Sequence, residues 1–469
     1  MTKPRRIYLL SPRDLSPETI AVAFAKTSRS PEPFDEIAAE LNDVRAAKFH
    51  EKWVVGYGHA SVAEHAVLHL ALENVSRLAI ETIEGNRLAS YTEKSTRYQQ
   101  WDADAFYVPE ELSGHPLEEK FRQTCQHLFD AYHSCIPNVQ SWLKETEPQQ
   151  PDESDRAFER RIRPASVDIC RFLLPAASLA NVGVTINARA LEYAICKMLS
   201  SPLDEVRQIG EWVLKVGKQE APTLIKYAGC NAYLMETTEK MALQAERVPQ
   251  HPGSDFTLID YDGEGEDKIL AAVLFRFSQD RPFANCLDYV KQLDEDGRQA
   301  LVRALMADRG PFDQPLREFE YAQMTFEVVM DQGAYFEFKR HRMMTQTVQP
   351  LTALLGYATP RGILASGCED QYREAMAQAE NLYQELWAFN PDVAGYIVPN
   401  GFNRRVLFTI NLREAFTLCR LRAAENAHFS IRRVALKLHE AIETIYPHLA
   451  PYMVIPEGAT WQDVARDYF

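Results

Sequence analysis

Two short stretches carry residue types that could do chemistry. Arg340-His341-Arg342, with Lys339 just before it, sets two permanently charged guanidinium forks around an imidazole. Each fork can grip a phosphate or a ring carbonyl through a planar set of donors. Taken alone, the triplet also suits a solvated basic helix end. Residues 88–98 read Leu-Ala-Ser-Tyr-Thr-Glu-Lys-Ser-Thr-Arg-Tyr. Ser95 and Arg97 are the groups that would ring a phosphomonoester, and Glu93 could accept from a sugar hydroxyl or a base N–H. A capped helix start followed by an exposed loop has the same composition. Upstream lies Gly58-His59-Ala60-Ser61-Val62-Ala63-Glu64-His65, with His65 and His69 four residues apart. Because residues 65–73 alternate as a strand and supply no third ligand at helical spacing, no metal site is expected there.

The elements that must position these residues come next. Residues 6–10 read as a first strand, and helical patterns start near Pro17 and cover residues 34–57. A strand over 65–73 passes into helical spacing through Arg77 and Ile80. Residues 117–145 form an amphipathic helix that Pro137 should kink or split, and 149–161 read as a charged loop. A β-type run at 180–186 leads to helices over 188–199 and 203–227. Residues 234–254 turn polar and look like a linker. The pattern then restarts with a strand at 256–261, a turn at 262–267, a helix at 268–277 and a long helical segment over 412–446.

One pair of segments argues for an internal repeat. Leu173-Leu174-Pro175 precedes Thr185-Ile186-Asn187-Ala188-Arg189, and Ile397-Val398-Pro399 precedes Thr409-Ile410-Asn411-Leu412-Arg413. Proline and asparagine stand twelve apart in both. The chain reads as two diverged copies of one α+β domain, at 1–233 and 255–469, joined by 234–254.

Composition narrows the function classes. With 469 residues, 46% hydrophobic and 25% charged, this is globular material for two domains. A net charge of −15 argues against general nucleic-acid or membrane-surface binding. No apolar run approaches the roughly 18 residues needed to span a bilayer, and the start is too short in apolar residues for a signal peptide. The eight cysteines include no CxxC pair, which fits a reducing cytoplasm. No G-x-G-x-x-G follows a strand, so a Rossmann module is not expected.

Taken together, the stretches resemble the flavin-dependent thymidylate synthases (ThyX). That family's signature is R-H-R-x-A-S-Y-x-x-x-S-x-R-Y, preceded by Gly-His-x-Ser/Thr-x-x-Glu-His. The first copy matches Gly58 to His65 and Leu88 to Tyr98, but Gly85-Asn86-Arg87 stands where Arg-His-Arg belongs. The second copy has Arg340-His341-Arg342, but Pro350 and Thr352 stand at the serine and arginine.

The resemblance implies α+β domains with a small, mostly antiparallel sheet and long helices, paired as a pseudo-dimer. It also implies a composite site. The first copy keeps Glu93, Ser95, Arg97 and Arg171 for the nucleotide but has Met198 at the late-helix arginine. The second keeps Arg340, His341 and Arg342 for FAD and Arg422 for the uracil ring, but has Gly395 where the first has Arg171. Asn411 and Arg413, with His59 and Ser61, would complete the flavin pocket. Each copy has lost the complementary half, which points to one composite site per chain and a dead reciprocal one. The implied reaction converts dUMP to dTMP with methylenetetrahydrofolate and NADPH, in a cytoplasmic homodimer of two-domain chains. Arg422 would stabilise charge on the ring, and no cysteine would act as nucleophile. The competing expectation is a divergent flavin- or nucleotide-binding relative with a changed substrate or no catalysis. Glu337, near the place of a family glutamine, bears on that choice.

Overall fold

The computed structural model describes residues 6–27, 30–41, 43–56, 60–249 and 253–469. The protein is α+β, with two small antiparallel sheets. Strands β1 (Val67–Ser76), β2 (Ala89–Glu93) and β3 (Leu179–Asn187) lie in the order β1-β3-β2. Strands β4 (Phe256–Tyr261), β5 (Gln323–Asp331), β6 (Thr345–Val348) and β7 (Asn403–Asn411) lie in the order β4-β5-β7-β6. The order β1-β3-β2 recurs as β5-β7-β6, and so does the register: Val67 faces Asn187, as Gln323 faces Asn411.

Strand periodicity explains the second sheet. Met324, Phe326 and Val328 are buried and stand opposite buried Ile410, Phe408 and Val406. One face is therefore a continuous apolar layer, and a slip of one residue would turn it to water. In the first sheet, the β1–β3 register shifts between Leu72 and Val75, where Asn74 adopts φ 55° and its N–H donates to Asn181 Oδ1 at 3.0 Å.

The repeated Thr-Ile-Asn-x-Arg has a structural cause. Asn187 Oδ1 accepts from Ala190 N, and Asn411 Oδ1 from Glu414 N, both at 2.9 Å. In each copy the asparagine is the N-cap that turns a strand directly into a helix, Ala188–Leu199 in one and Leu412–Arg422 in the other. The arginine two residues on pairs with a glutamate at the matching position, Arg189 with Glu64 and Arg413 with Glu320.

Several local expectations are corrected. Residues 6–10 join no sheet. The helix Pro116–Thr146 runs through Pro137 unbroken. The charged segment after 149 enters a helix, Asp155–Cys170, at Ser154, whose side chain accepts from Ala157 N. The segment 412–446 is two helices, Leu412–Arg422 and Phe429–Ile445, because His428 caps the second through Ser430 N. A further helix, Ala232–Ala245, buries none of its residues and lies where the linker was expected.

The chain divides into two compact units, and the division does not follow the repeat. One comprises Met1–Ser95, Ala105–Glu119 and Ala177–Gln250; the other comprises Thr96–Asp104, Lys120–Ala176 and His251–Phe469. Within the second, the two repeat-related prolines pair with each other. Pro175 bridges Pro399, Ala176 N donates to Val398 O at 3.0 Å, and Asn400 N to Leu174 O at 3.0 Å. Like facing like gives this pairing a local two-fold character. No helix among the described residues is long and apolar enough to cross a membrane.

Candidate functional site

The second unit gathers Arg97, Asp168, Arg171, Glu337, His341, Arg422 and His428 into one buried cluster. Its centre is the Glu337 carboxylate. Arg422 Nη1 donates to Glu337 Oε2 at 3.0 Å, while Arg97 Nη1 and Arg171 Nη2 each stand 3.8 Å from Oε1. Asp168 sits behind the same two guanidiniums, 3.0 Å from Arg97 Nε and 3.3 Å from Arg171 Nε. Arg171, at 2% exposure, and Glu337, at 5%, are shut from solvent.

Local structure explains why each group is there. Glu337 lies on the helix Gln332–Phe338, every residue of which is buried. Asp331 caps that helix through Ala334 N at 2.8 Å and accepts from Ser430 Oγ at 2.5 Å. Arg171 Nη2 donates to Gly333 O at 3.2 Å, and a Cβ on Gly333 would stand 3.3 Å from that guanidinium nitrogen. Glycine at 333 permits this close approach.

Hydrogen bonds assign the two imidazoles. His341 Nε2 faces Arg422 Nε at 3.0 Å, and arginine can only donate, so Nε2 is bare and Nδ1–H donates to Glu414 Oε1 at 2.9 Å. Burial pushes the His341 pKa down, with the Arg422 charge adding to it and the Glu414 hydrogen bond opposing. His428 Nδ1 accepts from Ser430 N at 3.2 Å, which leaves the proton on Nε2. Burial pushes His428 well below its usual value, with Arg171 and Arg97 acting in the same direction. Both rings are neutral at pH 7.

The charged groups follow similar logic. Burial lowers Arg422, and the neighbouring Arg340 and Arg97 charges act the same way against Glu337. It remains a cation, as arginine does in proteins. For Arg97, burial is outweighed by Asp168 and Glu337, and its pKa rises. Burial pushes the Asp168 pKa up, while Arg171 and Arg97 pull it down. The rise of Arg97 favours an ion pair and the rise of Asp168 a neutral acid. Two guanidiniums within 3.3 Å decide for the carboxylate.

Four buried atoms of this cluster complete no hydrogen bond among the described residues: Asp168 Oδ1, Arg171 Nε, Glu337 Oε1 and His428 Nε2. Three of them face one another, with Asp168 Oδ1 3.3 Å from Arg171 Nε and 3.6 Å from His428 Nε2, while Glu337 Oε1 stands 3.8 Å from two guanidiniums, so the set is a loosely closed ionic network. Arg97, Asp168 and His428 also line a cleft of about 830 Å³, together with aromatic Trp142, Phe429 and Tyr468 and charged Arg161, Arg361 and Arg432. That volume suits a small organic ligand.

The other expected site residues are distributed as follows. Arg340 is exposed and forms no ion pair among the described residues, and Arg342 is half-buried. Asn411 is the helix cap, and Arg413 donates to Pro315 O and pairs with Glu320, so both are committed to the fold. In the first unit, the buried Glu93 side chain pairs with Arg77 at 2.8 Å. Ser61 is exposed on the short helix Ala60–His65, and His59 lies outside the described residues. The eight cysteines are free thiols, and burial pushes Cys125 and Cys170 well up, away from the reactive thiolate. Among the described residues, no group of three or more potential ligands is placed to hold a metal.

The chain matches the sequence family described as "Thymidylate synthase complementing protein" over residues 11–223 and again over 257–448. It belongs to that family. A "UPF0159 protein" of Chlamydia muridarum is 31% identical over 427 residues, covering 87% of this chain and 80% of its own length. A UPF0159 protein of Thermoplasma acidophilum is 28% identical over 447 residues, covering 88% and 89%. A "Flavin-dependent thymidylate synthase" of Clostridium tetani is 27% identical over 215 residues, 46% of this chain but 83% of that protein. One such synthase thus corresponds to about half of the chain, as expected for two family domains in tandem.

Within this family frame, sequence reading missed Asp168, Glu414 and His428. Asp168 is three residues before Arg171 on one helical turn, and that spacing was a usable signal. Glu414 follows the repeated asparagine by three and doubles as a first-turn acid. Nothing in the spacing of His428 announces it.

Proposed function

We propose that the protein is a flavin-dependent thymidylate synthase that converts dUMP to dTMP with methylenetetrahydrofolate and NADPH, at a site made from both copies. The observation that carries this reading is the convergence of Arg97, Arg171 and Arg422 with His341, residues far apart in the chain, on one buried cluster beside an open cleft. Arg97 and Arg171, with Ser95 nearby in sequence, would hold the nucleotide phosphate by charge-assisted hydrogen bonds, each contributing about 1.5–3 kcal/mol. Arg422, aimed by His341 Nε2, would stabilise negative charge developing on the uracil ring. His341 itself acts as a positioning residue, since both ring nitrogens are engaged.

The donor set fits a flavin dinucleotide. Arg340 offers an exposed guanidinium that forms no ion pair among the described residues, and the half-buried Arg342 carries a second guanidinium, for its diphosphate. A bound flavin supplies the redox chemistry that turning a transferred methylene into a methyl group requires. In this reading the two-domain chain is a pseudo-dimer, pairs with a second copy, and works in the cytoplasm.

Rescue of a thymidine-auxotrophic bacterium tests the activity, and failure of well-expressed protein to rescue would overturn it. Purified protein should be yellow, with Arg340→Ala losing FAD and Arg97→Ala losing dUMP. A second reading, a flavin- or nucleotide-binding relative with a changed substrate or no catalysis, is favoured by one observation. Glu337 already offsets part of the charge of the arginines meant for the nucleotide.

A further inference from the structure

The charge balance of the cluster gives Glu337 a specific role. Arg97, Arg171 and Arg422 bring three positive charges, and Asp168 and Glu337 two negative ones. His341 and His428 are neutral, and Glu414 faces the cluster only through the His341 ring. Arg340, whose charge also acts on Arg422, is exposed, and Arg161, Arg361 and Arg432 line the adjoining cleft. Among these five charged groups one net positive charge remains, less than the charge of a phosphate dianion entering among them. Asp168 is fixed behind two arginines, with Oδ2 bonded to Arg97 Nε. Glu337 is held differently. One oxygen bonds to Arg422, while the other lies 3.8 Å from two guanidiniums and makes no hydrogen bond. That oxygen stands between the two arginines where a phosphate oxygen would stand.

We propose that Glu337 sets the charge of the ligand this cluster accepts. Its carboxylate occupies the anion position among Arg97, Arg171 and Arg422, and a phosphate group binds there only by displacing it. Neutralising Glu337 leaves two net positive charges, matched to a phosphate dianion, and opens the position. The inference rests on the reading that the cluster receives the anionic end of a ligand.

Calorimetric titration of the full chain with dUMP, deoxyuridine and inorganic phosphate tests it, for wild type and Glu337→Gln. In wild type, displacing Glu337 should offset most of what Arg97 and Arg171 contribute to holding the phosphate, so dUMP and deoxyuridine bind within about tenfold of each other. In Glu337→Gln, dUMP and inorganic phosphate should each bind at least about tenfold tighter, with deoxyuridine unchanged. A wild-type preference for dUMP over deoxyuridine beyond about a hundredfold overturns the proposal without any variant. Equal phosphate affinity in a folded Glu337→Gln protein overturns it as well. If neither nucleoside nor nucleotide binds either protein, the synthase reading fails, and the phosphate titration still decides the role of Glu337.

Discussion

The two copies place opposite chemistry at matching positions. In the second, Arg422 closes the helix Leu412–Arg422, His341 aims it, Glu414 anchors His341, and Glu337 receives its charge. In the first, the matching positions are Met198, Asn86, Ala190 and Thr82. Met198 and Asn86 line an apolar cavity of about 20 Å³ with Leu70, Ile83, Val184 and Ile186. Asn86 turns its amide inward, to Ile83 O at 2.7 Å. Yet the strand order, the register, the asparagine cap and the arginine–glutamate pair recur without the polar network. The fold therefore does not require it. Buried charges add little net stability even when well paired, and apolar packing of similar volume does as well or better. A network the scaffold can do without, kept at one site, supports the proposed ligand-binding reading.

Exchanging residues between the copies is the most direct way to break this comparison. Arg422→Met gives the second copy the residue of the first. It removes the cation hydrogen-bonded to Glu337 and leaves that buried carboxylate 3.8 Å from Arg97 and Arg171. If the proposed reaction holds, formation of dTMP should fall by about a hundred- to a thousandfold, as for loss of a charge-stabilising donor. Stability should fall by about 3–5 kcal/mol, the usual result of breaking a buried ion pair, as read by urea unfolding. A variant that stays stable and works within tenfold of wild type would show the network to be dispensable.

The reverse exchange, Met198→Arg, has a smaller expected effect. It pushes a guanidinium into an apolar cavity too small for it, with no carboxylate on the lining. Overpacking alone costs about 1–3 kcal/mol, and the unpaired charge adds to this unless it escapes to solvent. Thermal unfolding should move down while dUMP stoichiometry stays at one per chain. A second bound dUMP would mean the first copy retains a latent site.

A pH experiment tests the neutral histidines. His428 and His341 have folded pKa values pushed below 6.5, so they take up protons more readily once unfolded. Their contribution is fully present above about pH 6.5 and is lost as pH falls below it, by up to about 1.4 kcal/mol per pH unit for each group. The buried acid Asp331 is shifted up and acts in the opposite sense. Wild type should therefore be compared with His428→Asn, which keeps an N-cap acceptor but cannot titrate. The variant should lose less stability than wild type between pH 7 and pH 5.5. Parallel curves would mean that His428 does not carry the buried, neutral state assigned to it.

How much of this was legible beforehand depended on what kind of signal each residue leaves. The repeat was readable because Asn187 and Asn411 perform the same strand-to-helix switch and tolerate few replacements. Arg97, Arg171, His341 and Arg422 were readable because their types and offsets matched a family pattern. Asp168, His428 and Ser430 were not, because their importance lies in what they face, and facing depends on packing between segments hundreds of residues apart. Helix limits failed where polar composition hid them. The segment at 155–170 is charged because one side of its helix is exposed, and the break at 423–428 depends on a histidine cap, a residue outside the usual capping set. Glu337 was visible as a departure, but its three arginine partners were not.

The smallest effect separates scaffold from site within the repeated motif itself. Arg189 and Arg413 occupy the same position and pair with matching glutamates, Glu64 at 2.5 Å and Glu320 at 2.9 Å. The Arg189 pair is about half exposed on both sides, and the Arg413 pair is about one-third exposed, with an added bond from Arg413 Nε to Pro315 O at 3.0 Å. Solvent screens both, so Arg189→Met should cost well under about 1 kcal/mol and Arg413→Met no more than about 1. If the motif arginine serves the fold in both copies, the two variants should differ only by that margin, and FAD should remain bound through gel filtration in each. If Arg413 also holds the flavin, as the family resemblance implies, Arg413→Met loses the yellow colour at nearly unchanged stability, while Arg189→Met keeps it. The outcome decides whether the second copy recruited a scaffold arginine for its cofactor or kept it for the turn from strand to helix.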